Sequence, residues 1–324
     1  DEVRRLLVDS EHAINVTVQA GACVDPPGDL VEADVARESA GVLLHGLEKT
    51  TLPDLGGVVI LAPVGTPFAG AERLEHASPG HPDDAVIWEA VEAKADAGAQ
   101  PTVSFHLFLV FAVMLGAIAV ITDSSVLVVG AMVVGPEFSA IAAVAAGVVL
   151  GHWSLAGRSL RLLFMSFALA IAVVLVLALL ARAAGIIDAE MVTAPRPNTG
   201  FIWRPDVWSF TVALIAGVVG ALALALDKTS TMVGVFISVT TVPAAGNLAL
   251  GLAVGARSEI IGSAQQLGMN IAAMIVAGVV VLAFMRTSWR WVTRQSERIP
   301  GWQPHHAIHR GSGPGSGTRT SGGP

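Results

Sequence analysis

Six long apolar runs, near 103–121, 125–150, 159–184, 207–226, 229–255 and 262–285, constrain this chain more than any other feature. A helix needs about 20 apolar residues to cross a bilayer core, and these runs approach or exceed that length. The breaks between them are short, at Asp123, His152–Arg161, Asp227-Lys228 and Arg257–Gly262, apart from one Pro- and Arg-containing stretch at 185–206. Trp153, Trp203, Trp208, Trp289 and Trp291 fall at the ends of runs, where an indole keeps its ring in lipid and its N–H wet. Helices of a soluble bundle would carry polar faces, which these runs lack. The fold class is therefore an α-helical polytopic membrane protein of about six spans in a lipid bilayer. A hydrophobic fraction of 53% and a mean hydropathy of +0.66 agree with it.

Charge divides the chain near Gly98–Pro101. Residues 1–104 hold 18 of the 26 acidic residues and 6 of the 19 basic ones, so an acidic soluble domain (1–100) precedes a transmembrane domain (101–286). Residues 287–324 begin basic and continue as a Gly/Ser/Pro-rich tail that reads as disordered. The acidic N-terminal part gives a nucleic acid nothing to bind. The pattern of residues 1–97 is helix (1–10), strands at Ile14–Ala20 and Leu30–Arg37, helix at Ser39–Lys49, strand at Gly57–Ala62 and helix at Asp83–Ala97. That is an α+β ferredoxin-like unit without its first strand, which is expected upstream of Asp1. No cleavable signal peptide opens the chain, and the single cysteine, Cys23, excludes an intramolecular disulfide and a multi-Cys metal site.

Arg and Lys near the span ends set orientation. Arg158, Arg161, Lys228, Arg286, Arg290, Arg294 and Arg298 share the side of the termini, against Arg182, Arg196, Arg204 and Arg257 on the other. The expectation is a multi-pass protein of the inner (plasma) membrane with both termini cytoplasmic. The count is the same if the second and fifth runs re-enter instead of crossing.

A shift of 104 residues lays 105–179 over 209–283 without a gap and gives 18 identities in 75 positions, including Gly116/Gly220, Asp123/Asp227, Gly130/Gly234, Gly147/Gly251 and Gly151/Gly255. Chance in so Ala/Val/Leu/Gly-rich a composition gives roughly half that number. The hydrophobic part is thus one three-helix unit used twice, repeat one at 103–184 and repeat two at 207–286. An odd number of crossings inverts the second copy, the architecture of many secondary transporters.

Both middle spans are expected to break. In the first, Gly135-Pro136-Glu137 interrupts the run, because Pro136 has no N–H and opposes the carbonyl of Met132. In the second, Thr240-Thr241-Val242-Pro243-Ala244-Ala245-Gly246-Asn247 does so, with Pro243 three positions beyond the residue aligned with Pro136. Freed backbone at mid-membrane is tolerated only inside protein or along a wet cavity.

Glu137 is the only acid well inside a span. An ionised carboxylate there costs about 3 kcal/mol, and beside a break it suits a cation or a proton. It equally suits a cap on the following half-helix, held by the helix dipole. Gly135, Pro136, Glu137, Thr240, Thr241, Pro243 and Asn247 are the candidate substrate- or ion-binding residues. Asp123 and Asp227 each precede a helix and are expected to cap it. Gly147, Gly151, Gly251 and Gly255 form two Gly-x-x-x-Gly pairs suited to close helix approach. Gln265, Gln266 and Asn270 suit hydrogen bonding between helices. His305, His306 and His309 lie in the tail and define no metal site. No His-Glu-x-x-His, Gly-x-Ser-x-Gly or phosphate-binding loop is present, so neither an enzyme nor a cofactor is expected.

The stretch Ile121-Thr122-Asp123-Ser124-Ser125 through Gly130-Ala131-Met132-Val133-Val134-Gly135-Pro136 resembles the signature of a bacterial membrane family, domain of unknown function 389. Residues Gly234 to Val239 and on to Pro243 resemble its second conserved stretch, and Gly147 to Gly151 and Arg204-Pro205-Asp206 also fit. The chain departs from the family at both breaks: Glu137-Phe138 stand where Leu-Met usually follows the first proline, and Thr240-Thr241-Val242-Pro243-Ala244 replaces the usual Pro-Pro. The resemblance implies the fold and no activity. Two functions remain open. One is a transporter or ion-conducting protein for a small ion or solute, coupled to a cation or proton at the breaks. The other is a non-transporting receptor or scaffold whose acidic domain senses a ligand. A homo-oligomer is expected in either case.

Overall fold

The computed structural model describes residues 1–61, 69–77, 85–226 and 240–296. Helix α1 (Glu2–Val8) leads into β1 (Ala13–Val24) and β2 (Pro27–Val35), which pair antiparallel. The register shifts between Gln19 and Cys23, where Gly21 has φ +65 and its N–H donates to Asp29 Oδ1 at 2.9 Å. Helices α2 (Ala40–Leu47), α3 (Leu52–Leu55) and α4 (Ala69–Ala77) follow. The strand expected at Gly57–Ala62 is not there: 57–61 form no ladder, and Val59 and Leu61 are each 80% exposed. A strand exists only through its partner, and the sheet of the described residues has two strands and is not a ferredoxin-like unit.

Helix α5 (Trp88–Gly98) ends before the expected boundary at residue 100 but packs across it. Val91, Ala95 and Ala99 are buried in the same core as the apolar helices. Polar contacts join it to them: Arg158 to Asp96, Glu92 to His152 at 2.7 Å, and Ser139 Oγ donating to the Gly98 carbonyl at 3.3 Å.

The apolar part comprises α6 (Val103–Ile121), α7 (Ser125–Val134), α8 (Glu137–Leu150), α9 (Trp153–Ala183), the short α10 (Ala189–Thr193), α11 (Val207–Ala225), α12 (Thr241–Val254) and α13 (Arg257–Ser296). Side chains fix several starts by accepting orphan N–H groups: Thr102 from Phe105 at 3.2 Å, Ser124 from Leu127 at 3.3 Å and Asp206 from Ser209 at 2.7 Å. Helices α6, α9, α11 and α13 are long and apolar enough to span a membrane, and α7 with α8, bent by 52°, make a fifth candidate. Helix α12 is too short to cross alone, and the first half of the expected fifth run, with Lys228 and Gly234, lies outside the described residues. Only 33–44% of each spanning window is buried within the chain, and Phe108, Phe164, Ile215 and Phe284 point outward. Such apolar surface needs lipid or another protein around it. Trp153 and Trp208 are exposed at the starts of α9 and α11, and the side chains of Trp289 and Trp291 lie outside the described residues.

Helix bounds recur along the chain. The starts Val103, Glu137 and Trp153 are followed 104 residues later by Val207, Thr241 and Arg257, and the ends Ile121 and Leu150 by Ala225 and Val254. Packing recurs too. Helix α8 packs on α9 but also on α11 and α13, and α12 packs on α13 but also on α6 and α9. Gly116 and Gly220 mark the two crossings, since a Cβ on Gly116 would lie 3.0 Å from Pro243 Cα and one on Gly220 would overlap the Phe138 ring. Arg182, late in α9, donates to the Ala253 carbonyl at 2.5 Å, and Arg286, late in α13, donates to the Val149 carbonyl. Helix α8 therefore ends beside the start of α9. Helix α12 ends beside the far part of α9, about 40 Å along its axis.

Candidate functional site

At the first break, Pro136 supplies no N–H, α7 ends at Val134, and α8 starts at Glu137. Gly135 is extended there (φ −68, ψ 128), and a larger residue would force its neighbours to shift: a Cβ would strike Glu137 Oε2 and lie 2.9 Å from Val242 Cγ2. The two breaks thus meet at Gly135 and Val242. Glu137 is 8% exposed, and its Oε2 has no hydrogen-bond partner.

At the second break the described chain resumes at Thr240, and α12 starts at Thr241. Pro243 does not interrupt a helix; it stands in the first turn of α12, behind Thr240 and Thr241. A proline is tolerated there because first-turn N–H groups have no intrahelical acceptor. Thr240 Oγ1 accepts from Gln266 Nε2 at 3.0 Å and from Asn270 Nδ2 at 3.1 Å, which bears out hydrogen bonding between helices for these two, while Gln265 faces outward. Thr241 is fully buried with its hydroxyl unpartnered, as are Gln266 Oε1 and Asn270 Oδ1.

Beyond this break lies a closed ring of buried polar groups that sequence reasoning missed, apart from Asn247. Arg196 Nη2 pairs with Glu259 Oε1 at 2.6 Å, and Arg196 Nη1 donates to Asn247 Oδ1 at 2.9 Å. Asn247 Nδ2 donates to Glu259 Oε2 and to Ser263 Oγ, both at 2.7 Å. All four residues are at most 9% exposed, so Glu137 is not the only acid inside the bundle. The ring's net charge is zero, which is what permits such groups to be buried. One signal was available: Glu259, Ser263, Gln266 and Asn270 recur at helical spacing and line one face of α13. Nothing local marks Arg196.

Asp123 is not the cap of α7; Ser124 is. Asp123 has φ 46, and its carboxylate accepts from Thr199 Oγ1 at 2.8 Å and from Asn198 Nδ2 at 3.0 Å and backbone N–H at 3.2 Å. It ties the long loop to the α6–α7 corner. Burial pushes its carboxyl up, and the hydrogen bonds from Thr199 and Asn198 more than offset this and hold it below the ordinary 3.8. Asp227 and the three tail histidines lie outside the described residues.

The glycine pairs also divide. Gly147 and Gly251 are packing positions within the chain, since a Cβ would lie 2.7 Å from Ala156 N and 3.2 Å from Ile260 Cγ1 respectively. Gly151 (φ +82) and Gly255 (φ +77) meet nothing and instead close α8 and α12 in left-handed geometry. Among the described residues, no three His, Cys, Asp or Glu side chains group to hold a metal ion.

Compared with protein-family models, residues 132–276 match the domain of unknown function DUF389. The chain carries a DUF389 domain. No curated protein and no solved structure matches it. The DUF389 match runs from Met132 in α7 to Val276 in α13, and so contains both breaks and the Arg196 ring. It leaves out Asp123 and the whole of α6. The name describes a domain and supplies no activity, so function rests on the geometry.

Proposed function

We propose that this protein is a membrane transporter or ion-conducting protein, with its site where the two helix breaks meet and Glu137 as cation or proton ligand. One observation carries the reading. A carboxylate with an unpartnered oxygen is buried where Gly135 meets Val242, between helices that both begin deep in an apolar bundle. Intramembrane ionisable groups mark ion pathways by default.

The scaffold in this reading is a pair of inverted three-helix repeats that together make six crossings. The recurrence of helix bounds at one offset supports it, as do the reciprocal packing of α8 and α12 and their endings near opposite ends of α9. Alternating access would move one unit against the other around the breaks. We place both termini on the cytoplasmic side, from the arginine and lysine count, and assign the protein to no reaction chemistry. The outward apolar face leaves room for a homo-oligomer.

Flux into proteoliposomes, wild type against Glu137→Gln, tests the proposal. Cation- or proton-dependent flux in wild type and at least roughly tenfold less in the variant is the expected result; equal flux would remove Glu137 from the mechanism. One observation favours a receptor instead. Helix α5 joins the acidic region directly to α8 through Ser139 and Gly98. Absence of flux for every solute tried would favour that reading.

A further inference from the structure

We infer that the second break holds a monovalent cation, bound by the neutral oxygens of Thr241, Gln266 and Asn270. What such an ion does for transport rests on the reading above; that it binds does not.

The orphan atoms here are all oxygens that can accept. Gln266 Oε1 and Asn270 Oδ1 are carbonyl oxygens, able only to accept, and Thr241 Oγ1 has two lone pairs to offer. The nitrogen of each amide is already engaged, since Gln266 Nε2 and Asn270 Nδ2 each donate one hydrogen bond to Thr240 Oγ1. Those shared bonds bring the two amides to one point, beside the residue that precedes Thr241. All three residues are 0–1% exposed, and a buried acceptor left unpartnered is destabilising, because it has lost its water without a replacement. An ion, by contrast, can be met by several such oxygens at once. The opposing influence is the positive end of α12, which Pro243 weakens by removing one first-turn N–H.

The charge of the ligands sets the charge of the ion. Mg2+ and Ca2+ sites use carboxylates to offset dehydration, and Thr241, Gln266 and Asn270 are neutral. The acid of the neighbouring ring, Glu259, is already engaged by Arg196 and Asn247. The positions 104 residues earlier are Glu137, Leu162 and Ser166, a set with a carboxylate, an apolar side chain and a hydroxyl; Glu137 Oε2 and Ser166 Oγ are likewise buried without a partner. The two breaks thus differ in kind: one has a carboxylate that can take a proton, the other neutral oxygens that suit an alkali ion.

The test is equilibrium binding of radiolabelled sodium, and of rubidium as a stand-in for potassium, to the purified full chain in detergent with choline as counter-cation. Wild type should bind one of the two saturably. Gln266→Leu and Asn270→Ser, which install what the first repeat carries at those places, should each weaken binding by roughly tenfold or more. Thr241→Val keeps the shape and loses the oxygen, so it should weaken binding as well, and Thr241→Ser should restore it. No saturable binding of either ion to wild type, or unchanged binding in all three weakened variants, overturns the inference. Intact binding without flux would remove transport and leave this site; flux without binding would do the reverse.

Discussion

Arg182 and Arg286 make matching contacts: Arg182, late in α9, caps the end of α12, and Arg286, late in α13, caps the end of α8. Arg182 reaches Ala253 and Arg286 reaches Val149, and donors and acceptors alike are 104 residues apart. The last carbonyls of a helix have no partner within it, and a guanidinium there also meets the negative end of the dipole.

Arg182→Ala and Arg286→Ala should each lower the stability of the detergent-solubilised protein by about 1–2 kcal/mol. The contacts are at opposite ends of α9, so the double variant should show the sum of the two losses. Thermal unfolding of the four proteins would measure it. A loss far from additive would mean that the two ends are coupled.

The Arg196 ring should tolerate removal of the whole pair better than removal of half. Arg196→Met leaves Glu259 buried and unpaired, and should cost about 3–5 kcal/mol. Adding Glu259→Leu to it should recover a large part of that loss. Denaturant unfolding of the single and double variants measures the difference; no recovery would count against a neutral, mutually dependent pair.

Gly135 and Gly130 make a matched contrast. A Cβ at Gly135 meets Glu137 and Val242, whereas one at Gly130 meets nothing within 4 Å. Gly135→Ala should therefore destabilise by about 1–3 kcal/mol, and Gly130→Ala, within α7, should be neutral or stabilise by up to about 1 kcal/mol. Melting curves that rank the two the other way would disprove the placement of the first break.

Acid should loosen the long loop. Because the Asp123 carboxyl lies lower in the folded chain than in the unfolded one, its contribution is complete above the ordinary value of 3.8 and is lost as pH falls through the folded value below it. The Asn198 amide, bonded to Asp123 at 3.2 Å, should be protected from hydrogen exchange at neutral pH and lose that protection below the ordinary value. In Asp123→Ala it should be unprotected throughout, after correction for intrinsic exchange. Equal protection in both proteins would show that the loop is held elsewhere.

Much of this fold can be read from apolar run length and a handful of special residues. Pro136 marks the end of α7 because the missing N–H acts locally. The starts of α6 and α11 follow from Thr102 and Asp206, which act within three residues. What was hidden depends on distant partners. Val58 and Ile60 look like strand residues, but a ladder needs a neighbour that the described chain does not supply. Asp123 reads as a cap until its backbone turns to φ 46 and its carboxylate faces Asn198 and Thr199. Arg196 reads as one more loop arginine, and only the fold brings it to Glu259.

Helix α5 gives the two breaks different neighbours. It is fastened to α8 and to the start of α9 through Gly98, Asp96 and Glu92, so α8 cannot swing without dragging the acidic region along. Among the described residues, the second break has no such tether to the N-terminal region. Its α13 instead packs against the turn Gly200–Trp203, with Gly262 pressed on the Trp203 carbonyl, toward the other end of α9. Movement at the first break would thus be felt in α5, and movement at the second in the Gly200–Trp203 turn.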